Sequence, residues 1–267
     1  MPELPEMEHY KQLLEQTIKE KTITEVKILR EKSINVSVSA FEKRVVSQQV
    51  TDIERKAKHL VLHLSSGDVL LLHLMLGGWM FYGLEGPDRT VQVRLSFGHH
   101  HLHFIGLRLG YLHILTESEM VQALENLGPE PLSDNFSLDM FIEKMHRKRG
   151  KLKTALVDQQ FLSGIGNRYS DEICWQAQVL PTRSVNELTK IEMTNIFGAI
   201  RTILPKAIKL GGYMNEKFMK DDRITGGYLP HFHVYKQEGE ACPRCSHPIR
   251  RSEISSRKTF YCSNCQY

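Results

Sequence analysis

The sequence predicts an α+β protein of several domains, in which a helix and a β-sandwich precede a helical region and a carboxy-terminal zinc hairpin. Three observations lead to this fold class. Apolar and polar residues alternate in short runs between 22 and 115, apolar residues recur at helical spacing from about 134 to 210, and two Cys-x-x-Cys pairs lie near the carboxyl end. The 267 residues suffice for this architecture, and 41% hydrophobic with 25% charged residues exclude wholesale disorder and a coiled coil.

The amino-terminal region is predicted to hold one helix followed by short strands. Residues 3–20 form the helix, because their apolar side chains fall on one face and Glu and Lys side chains lie opposite. Alternation over 22–28, 60–64 and 91–95 predicts strands, and turn residues such as Gly77-Gly78 separate them. Several short strands at this spacing are typical of a sandwich or a barrel.

A stiff Gly-Pro-Glu-Pro segment at 128–131 marks the predicted domain boundary. We therefore expect an amino-terminal domain over 1–128, a helical domain over 129–230 and a zinc finger over 231–267. The helical domain should contain helices that begin near Ser137 and run over 153–160, 168–176 and 187–210.

No apolar run approaches the about 18 residues that a membrane span needs. The amino terminus carries acids and prolines where a signal peptide would have basic and then apolar residues. The sequence therefore predicts a cytoplasmic protein that does not associate with membranes.

The net charge of +4 hides an uneven distribution. Residues 143–153 hold a local +5 and residues 241–267 a local +4, so the other 229 residues sum to −5. A mildly acidic body with two basic clusters indicates a face that binds a polyanion. Two solvated basic surfaces without a partner are the alternative.

Four of the five cysteines form the pattern of a structural zinc site: Cys242, Cys245, Cys262 and Cys265. Each Cys-x-x-Cys turn directs two thiolates at one ion, and four thiolates leave no open coordination position. A disulfide or redox role is the alternative, which the missing signal peptide and the matched pairs disfavour. Cys174 lies in an apolar helical stretch and is predicted to be a buried core thiol.

Pro2 becomes a secondary amine if an aminopeptidase removes Met1. An α-amino group has a reference pKa of about 8, so an appreciable fraction is neutral near pH 7 and can attack carbon to form an iminium. Carboxylates at Glu3 and Glu6 lie within one helical turn and can move protons. The alternative is purely structural, because Pro and Glu also suit the first turn of a helix.

Two further segments carry residues that suit phosphate binding. A Gly-Ile-Gly-Asn turn ending at Asn167 leads into a helix, and Lys153 lies upstream of it. In the second segment, Arg257 and Lys258 would lie at the tip of the zinc hairpin. A simple helix–helix turn and an exposed basic turn are the respective alternatives.

Together these features resemble one family, the formamidopyrimidine-DNA glycosylase and endonuclease VIII family of base-excision repair enzymes. The resemblance covers essentially the whole chain, and five motifs occur in the order of that family. Residues 1–8 resemble its P-E-L-P-E-V-E start, 57–60 its A-K-x-L strand, 127–132 its interdomain linker, 159–172 its helix–two-turn–helix signature and 256–262 its zinc-finger hairpin.

The resemblance implies roles for individual residues. Pro2 would be the nucleophile at the sugar C1′ atom, Glu3 would protonate the opening sugar oxygen, and Glu6 would assist proton transfer. The implied contacts with phosphates flanking a flipped nucleotide, or with the DNA backbone nearby, come from six residues: Lys58, His73, Lys153, Asn167, Arg257 and Lys258. The resemblance also implies that Lys58 and Arg257 belong to the catalytic residues, together with Pro2, Glu3 and Glu6.

The chain departs from the family at positions that fill the vacated base stack. The wedge residue, usually Met, is Leu76, and Arg108 would probe the orphaned partner base. The stacking aromatic is replaced by Leu109, and an aliphatic side chain fills space without stacking. Tyr213-Met214 replaces Thr-Thr at the start of the loop that covers the base.

The resemblance thus predicts a DNA glycosylase with abasic-site lyase activity on oxidised purines, formamidopyrimidines or oxidised pyrimidines. The predicted partner is double-stranded DNA that contains damaged bases or abasic sites, and the predicted cofactor is one structural Zn²⁺. The protein is expected to be a monomer in the bacterial cytoplasm, associated with the nucleoid. The alternatives are a catalytically impaired lesion- or abasic-site-binding protein on the same scaffold and a zinc-ribbon transcription or translation factor. The histidines over 99–103 are interpreted as a polar strand face, with adventitious metal binding as the alternative.

Overall fold

The computed structural model describes residues 1–267, and the chain divides into two compact units. The first unit comprises Met1–Asn126 together with Leu210–Gly227. The second comprises Leu127–Lys209 together with Tyr228–Tyr267. The first boundary between the units, at residues 126–127, lies next to the predicted linker over 128–131.

The first unit is built from three helices and eight strands. The helices are α1 (Leu4–Thr17), α2 (Val38–Val45) and α3 (Glu117–Leu124), with a 3₁₀ turn at Glu31–Ser33. The strands are β1 (Glu25–Ile28), β2 (Val50–Lys56), β3 (His59–Leu64), β4 (Asp68–His73), β5 (Trp79–Gly83), β6 (Val91–Phe97), β7 (His100–Ile105) and β8 (Tyr111–Thr116).

The strands form two antiparallel four-stranded sheets, in the orders β1-β6-β7-β5 and β2-β3-β4-β8. Residues of both sheets and of α1 contribute to one apolar core, for example Leu62 of β3, Phe104 of β7 and Met7 of α1. Alternation along β3 directs Val61 to the opposite face, where it packs with Met120 of α3. The predicted β-sandwich with an amino-terminal helix is confirmed.

Residues 210–227 belong to the first unit, although the sequence placed them with the helical domain. Phe218 is completely buried in the sandwich core, and the N–H of Tyr82 on β5 donates to its carbonyl oxygen at 2.6 Å. The Asp222 carboxylate holds the loop in shape by accepting backbone N–H bonds at 3.0 Å from Phe218, Ile224 and Thr225. A polar, glycine-containing segment gives no sign in the sequence of where Phe218 is buried.

The second unit is helical and ends in a β-hairpin. Its helices are α4 (Leu138–Arg147), α5 (Leu152–Leu156), α6 (Asn167–Gln176) and α7 (Lys190–Lys209), with 3₁₀ turns at Val185–Glu187 and Leu229–His231. Strands β9 (Arg250–Ile254) and β10 (Arg257–Tyr261) form the antiparallel hairpin. The four helices of this unit agree in number and order with the four predicted between 134 and 210.

The zinc-binding segment shares its core with α6 and so belongs to the second compact unit. Trp175 of α6 packs in one cluster with Val234, Ile249 and Phe260. The buried Glu172 carboxylate accepts backbone N–H bonds at 2.9 Å from three consecutive residues, His233, Val234 and Tyr235. These bonds fasten the chain where it enters the finger.

None of the helices, including the 20-residue α7, combines the length and the apolar composition that crossing a bilayer requires.

Candidate active site and nucleic-acid interface

The amino terminus of the first unit is held at both oxygens of one carboxylate. Glu3 precedes α1, and its backbone N–H donates to Glu6 Oε2 at 2.8 Å. The backbone N–H of Tyr213 donates to Glu6 Oε1 at 3.2 Å. The Pro-Glu-Leu-Pro-Glu sequence produces this start, since Pro5 suits the first turn and Glu6 reaches back to the helix entrance.

Gly212 allows the close approach of the 210–227 segment to α1. A Cβ atom at this position would lie 2.4 Å from Glu6 Oε1, and the backbone φ of +65° is one that side chains rarely adopt. Glu6 is only 1% exposed, so its carboxylate has a fixed position and is shielded from water. We call the group formed by Met1, Pro2, Glu3, Glu6, Gly212 and Tyr213 the amino-terminal clasp.

Tyr213 completes the clasp through its side chain. Its hydroxyl donates to the carbonyl oxygen of Met1, and the residue is 3% exposed. Pro2 and Glu3 are buried as well, so the structure brings the three predicted catalytic residues of the amino terminus together in one enclosed place. The sequence predicted no role for Gly212, and it placed Tyr213 only at the start of the loop that covers the base in the family.

His9 lies one turn after Glu6 and ties α1 to the same loop. Its Nε2 atom and the Thr225 hydroxyl are 2.8 Å apart. Burial lowers the pKa of His9, so the ring is neutral and its contact with Thr225 is an ordinary hydrogen bond.

Lys58 occupies the two-residue turn between β2 and β3. The preceding Ala57 has a φ of +55°, a left-handed conformation that is unusual for alanine. The Lys58 side chain is 5% exposed, so the turn directs it into the unit and away from the surface. A buried lysine needs charged or polar partners, which suits a position at a site and not on a solvated face.

His73 ends β4 and lies opposite His59 in the sheet register, with the ring centroids 4.4 Å apart. Burial, aided by the neighbouring His59 and Lys58, lowers the pKa of His73 to about 3. Burial likewise lowers the pKa of His59 to about 4. At neutral pH, His73 therefore offers a phosphate a neutral N–H donor and no positive charge.

Two turns of the sandwich present the predicted wedge residues. A Cβ on Gly106, after β7, would lie 2.0 Å from the Gly77 carbonyl oxygen in the turn after β4, so the two backbones touch. Leu76 and Leu109 are each 62% exposed on these adjoining turns, and Arg108 is exposed beside Leu109.

Lys153 lies beside the turn that ends at Asn167, as a buried residue. Its side chain is fully buried in the second unit, and Nζ donates at 2.6 Å to both Asp171 Oδ1 and the Asn167 carbonyl oxygen. Burial raises the pKa of Asp171 to about 7, although Lys153 opposes that rise. In this structure the Lys153 ammonium therefore joins the first turn of α6 to the buried Asp171 carboxylate, and the contact with the DNA backbone stays a prediction.

Asn167 and the hairpin tip lie together in the second unit. The Asn167 amide donates to the Lys258 carbonyl oxygen at 3.0 Å, which joins the start of α6 to β10. Ser255 and Ser256 form the tip with φ values of +49° and +61°, as a tight hairpin turn of mirror-image type requires. Arg257 follows directly and is exposed, as is Lys258, so the predicted presentation of both side chains is observed.

The four predicted zinc ligands come together at the base of the hairpin. Their sulfur atoms all lie within 4.8 Å of one another, and this is the one group of His, Cys, Asp or Glu side chains arranged to hold a metal. Four thiolates at this spacing fit the tetrahedral shell of one structural Zn²⁺. The histidines of 99–103 form no such group; His101 contacts the Ser96 hydroxyl at 2.9 Å, and His103 is buried.

Side chains of the second unit support the thiolates from outside. Trp175 Nε1 donates to Cys242 Sγ at 3.4 Å, and Arg244 Nη1 lies 3.6 Å from Cys265 Sγ. The Arg244 guanidinium also stacks on the Trp175 ring at 4.1 Å. Such donors neutralise part of the thiolate charge and orient the ligands. Cys174 is buried and free, as predicted.

Three family models match the chain in order. They describe the amino-terminal domain of formamidopyrimidine-DNA glycosylase at residues 1–111, its H2TH domain at 127–218, and a zinc finger found in FPG and IleRS at 239–266. The matched zinc finger contains the four clustered cysteines, so the chain holds one structural zinc site.

Curated relatives and solved structures match over the whole length. The chain is 33% identical to the formamidopyrimidine-DNA glycosylase of Herpetosiphon aurantiacus and 30% identical to that of Pelotomaculum thermopropionicum, covering 100% of itself in both and 100% and 99% of those proteins. Two solved structures of Lactococcus lactis Fpg superpose on this chain with a TM-score of 0.92, at 27% identity and with 99% of both chains covered. One is the G226P mutant bound to DNA that contains Fapy-dG, and the other is a complex with DNA that contains an abasic site.

Proposed function

This chain belongs to the formamidopyrimidine-DNA glycosylase family, and from that premise we propose that it is a base-excision repair enzyme for oxidised bases. In this proposal the enzyme removes a damaged base from double-stranded DNA and then cuts the strand as an abasic-site lyase, at the nucleoid of a bacterial cell. The observation that carries the proposal is the amino-terminal clasp, which holds Pro2 and Glu3 in place beside a carboxylate whose two oxygens are both anchored.

Pro2 supplies the nucleophile once Met1 has been removed. Its neutral amine attacks C1′ of the damaged nucleotide, a C–N bond forms, and the glycosidic bond breaks with its electron pair leaving on the protonated base. The attacking nitrogen gives its proton to the Glu3 carboxylate and so regains the lone pair that forms the iminium. Glu3 then delivers a proton to the ring oxygen as the C1′–O bond opens, which leaves an iminium between C1′ and Pro2. Glu6 fixes the Glu3 backbone and assists the proton transfers.

The iminium makes the C2′ proton acidic, and its loss drives the cleavage. Electrons from the C2′–H bond expel the 3′ phosphate in a β-elimination, and a second elimination expels the 5′ phosphate. Hydrolysis of the iminium then returns the free amine. The target nucleotide must leave the stack first, because its C1′ atom is out of reach inside a duplex.

DNA is bound in this proposal by exposed and positioned side chains of both units. Arg257 supplies a planar fork for a phosphate, and Lys258 adds a second positive charge. Neutral His73 donates one hydrogen bond, while Lys58 and Asn167 complete the contacts to the backbone. Leu76 and Leu109 fill the vacated stack by bulk, and Arg108 contacts the orphaned base.

Borohydride reduction tests the enzyme directly. We expect borohydride to trap a covalent adduct between the protein and abasic DNA, because reduction of the iminium makes the bond permanent. A chain that keeps Met1 has an amide at Pro2 and should give no adduct. Intact binding of abasic DNA without any adduct from the processed chain would favour the alternative, a lesion-binding protein without catalysis.

A reversal of charge tests the DNA contacts separately. We expect Arg257→Glu to weaken binding of abasic DNA roughly 100-fold, because a charge-assisted bond of about 3 kcal/mol is lost and replaced by repulsion. Lys190→Glu is the matched control, since Lys190 is an exposed lysine of the same unit at the start of α7. Equal effects of the two variants would contradict a specific role for Arg257. Duplexes with single lesions opposite each base would define the substrate.

A further inference from the structure

Tyr213 makes a contact for which the proposed chemistry has so far given no purpose. Its hydroxyl donates to the Met1 carbonyl oxygen while its backbone N–H donates to Glu6 Oε1 at 3.2 Å. The side chain is 3% exposed, and the adjoining Gly212 is pressed against the Glu6 carboxylate. Tyr213 is therefore fixed through both its backbone N–H and its hydroxyl, which keeps the ring beside the amino terminus.

The acceptor of this hydrogen bond is bonded to the same carbon as the nitrogen of Pro2. Standard amide geometry puts that oxygen and the Pro2 nitrogen about 2.3 Å apart, so a hydroxyl bonded to the oxygen lies within roughly 5 Å of the nitrogen. Removal of Met1 takes away the carbonyl and turns the Pro2 nitrogen into an amine. The amine is therefore created within that distance of the buried hydroxyl.

We propose that Tyr213 is the hydrogen-bond partner of the Pro2 amine in the processed enzyme and positions it for attack on C1′. The inference rests on the proposed function, because Pro2 carries a free amine only there. A neutral secondary amine has one N–H and one lone pair, so an acceptor for the N–H fixes the direction of the lone pair. A hydroxyl can accept from the amine in its protonated and neutral forms, and its bond to the charged form is the stronger.

The test compares Tyr213→Phe with the wild-type protein in single-turnover trapping on abasic DNA across pH 5–9. Without the hydroxyl the maximal trapping rate should fall about tenfold, the effect of one lost hydrogen bond. The rising limb of the pH profile should move to lower pH, because the protonated amine loses its acceptor and its pKa falls. Glu3, Glu6, His9 and Lys58, the other titratable residues described at this site, are the same in both proteins.

Tyr82→Phe is the matched control. Tyr82 is a buried tyrosine of the same unit whose hydroxyl lies 3.3 Å from Lys21 Nζ and 3.4 Å from the Thr17 carbonyl oxygen, apart from the clasp. Its trapping rate and pH limb should stay within twofold of wild type. Intact mass must show that Met1 is absent from all three proteins.

Three outcomes would overturn the inference. A Tyr213→Phe protein with the wild-type rate and limb would show that the hydroxyl does not hold the amine. A slower rate with an unmoved limb and a lower melting temperature would mean that Tyr213 only supports the fold. If the wild-type protein itself gave no adduct, the proposed function would be refuted. That result comes from the wild-type protein alone, so it is distinct from a failure of the Tyr213 proposal, which shows only in the comparison with Tyr213→Phe.

Discussion

The amino-terminal clasp and the tip of the zinc hairpin differ in how far their side chains are exposed to solvent. In the clasp, Glu3, Glu6 and Tyr213 are each at most 3% exposed, and backbone N–H groups fix both oxygens of one carboxylate. At the hairpin tip, Arg257 and Lys258 are exposed and keep their positions only because the turn and the zinc site beneath them are rigid. In the proposed mechanism, this difference shelters the residues that break bonds from water and leaves Arg257 and Lys258 accessible to a phosphate.

Removal of zinc should have the largest effect and should act on the hairpin alone. Without the ion, the small core of Trp175, Ile249 and Phe260 loses its anchor, and we expect DNA binding to fall below detection. Fluorescence of Trp175, which donates to Cys242, should change as the chelator acts, while Trp79 of the sandwich serves as internal control in a Trp175→Phe protein. Unchanged DNA binding by a protein shown to be zinc-free would contradict this account.

Lys153 and Lys258 separate buried charge from accessible charge. We expect Lys153→Met to lower the free energy of unfolding by roughly 3–5 kcal/mol, because Asp171 would be left buried without its partner. The same variant should leave the salt dependence of DNA binding unchanged.

Lys258→Met should do the reverse. Its stability should stay within about 0.5 kcal/mol of wild type, since Lys258 is exposed. The slope of log affinity against log salt should become less steep by about 0.9, the amount that corresponds to one lost phosphate contact. Denaturant unfolding and salt titrations measure both quantities, and a Lys153 variant with a reduced salt slope would overturn its assignment to the interior.

Gly212→Ala tests how tightly the clasp is fitted. The added methyl would lie 2.4 Å from Glu6 Oε1 at a positive φ, so we expect a loss of roughly 2 kcal/mol in stability together with slower trapping of abasic DNA. Gly198→Ala is the control, because Gly198 lies inside α7 with open space at its Cβ position and should gain about 0.5–1 kcal/mol. If both variants were equally stable, the close contact at Gly212 would be refuted.

Acid should weaken the sandwich by a smaller amount. The folded pKa values of His59 and His73, about 4 and about 3, lie below the ordinary value of 6.5, so the unfolded chain binds more protons in acid. Stability should therefore be complete above pH 6.5 and decline as the pH falls toward 3. We expect His73→Gln to reduce the loss between pH 7 and pH 5 by about 2 kcal/mol, whereas exposed His99→Gln should not.

The sequence predicted the elements whose signals are local. Alternation identified the strands, and the paired Cys-x-x-Cys turns identified the zinc ligands. The Pro-Glu start predicted a helix at the amino terminus, which is observed, and its catalytic role stays a prediction. Helices α2 and α3 were missed even though Ser37 and the Thr116–Glu119 capping box are ordinary helix-start signals, because both helices have only eight residues among strands.

Features that depend on distant contacts could not be predicted. The sequence around Lys153 is basic, and only the fold reveals that Asp171, 18 residues later, neutralises that lysine in the interior. The attachment of 210–227 to the sandwich depends on Phe218, one aromatic residue in a polar loop. The place of Tyr213 at the amino terminus joins residues 212 positions apart.

The most direct test of the central claim is to locate the trapped bond within the protein. After borohydride reduction on abasic DNA and digestion of both components, tandem mass spectrometry should find the sugar remnant on the nitrogen of Pro2, at the first residue of a chain without Met1. A remnant on Lys58 or another lysine, with Pro2 unmodified, would contradict the account of the clasp as the catalytic centre.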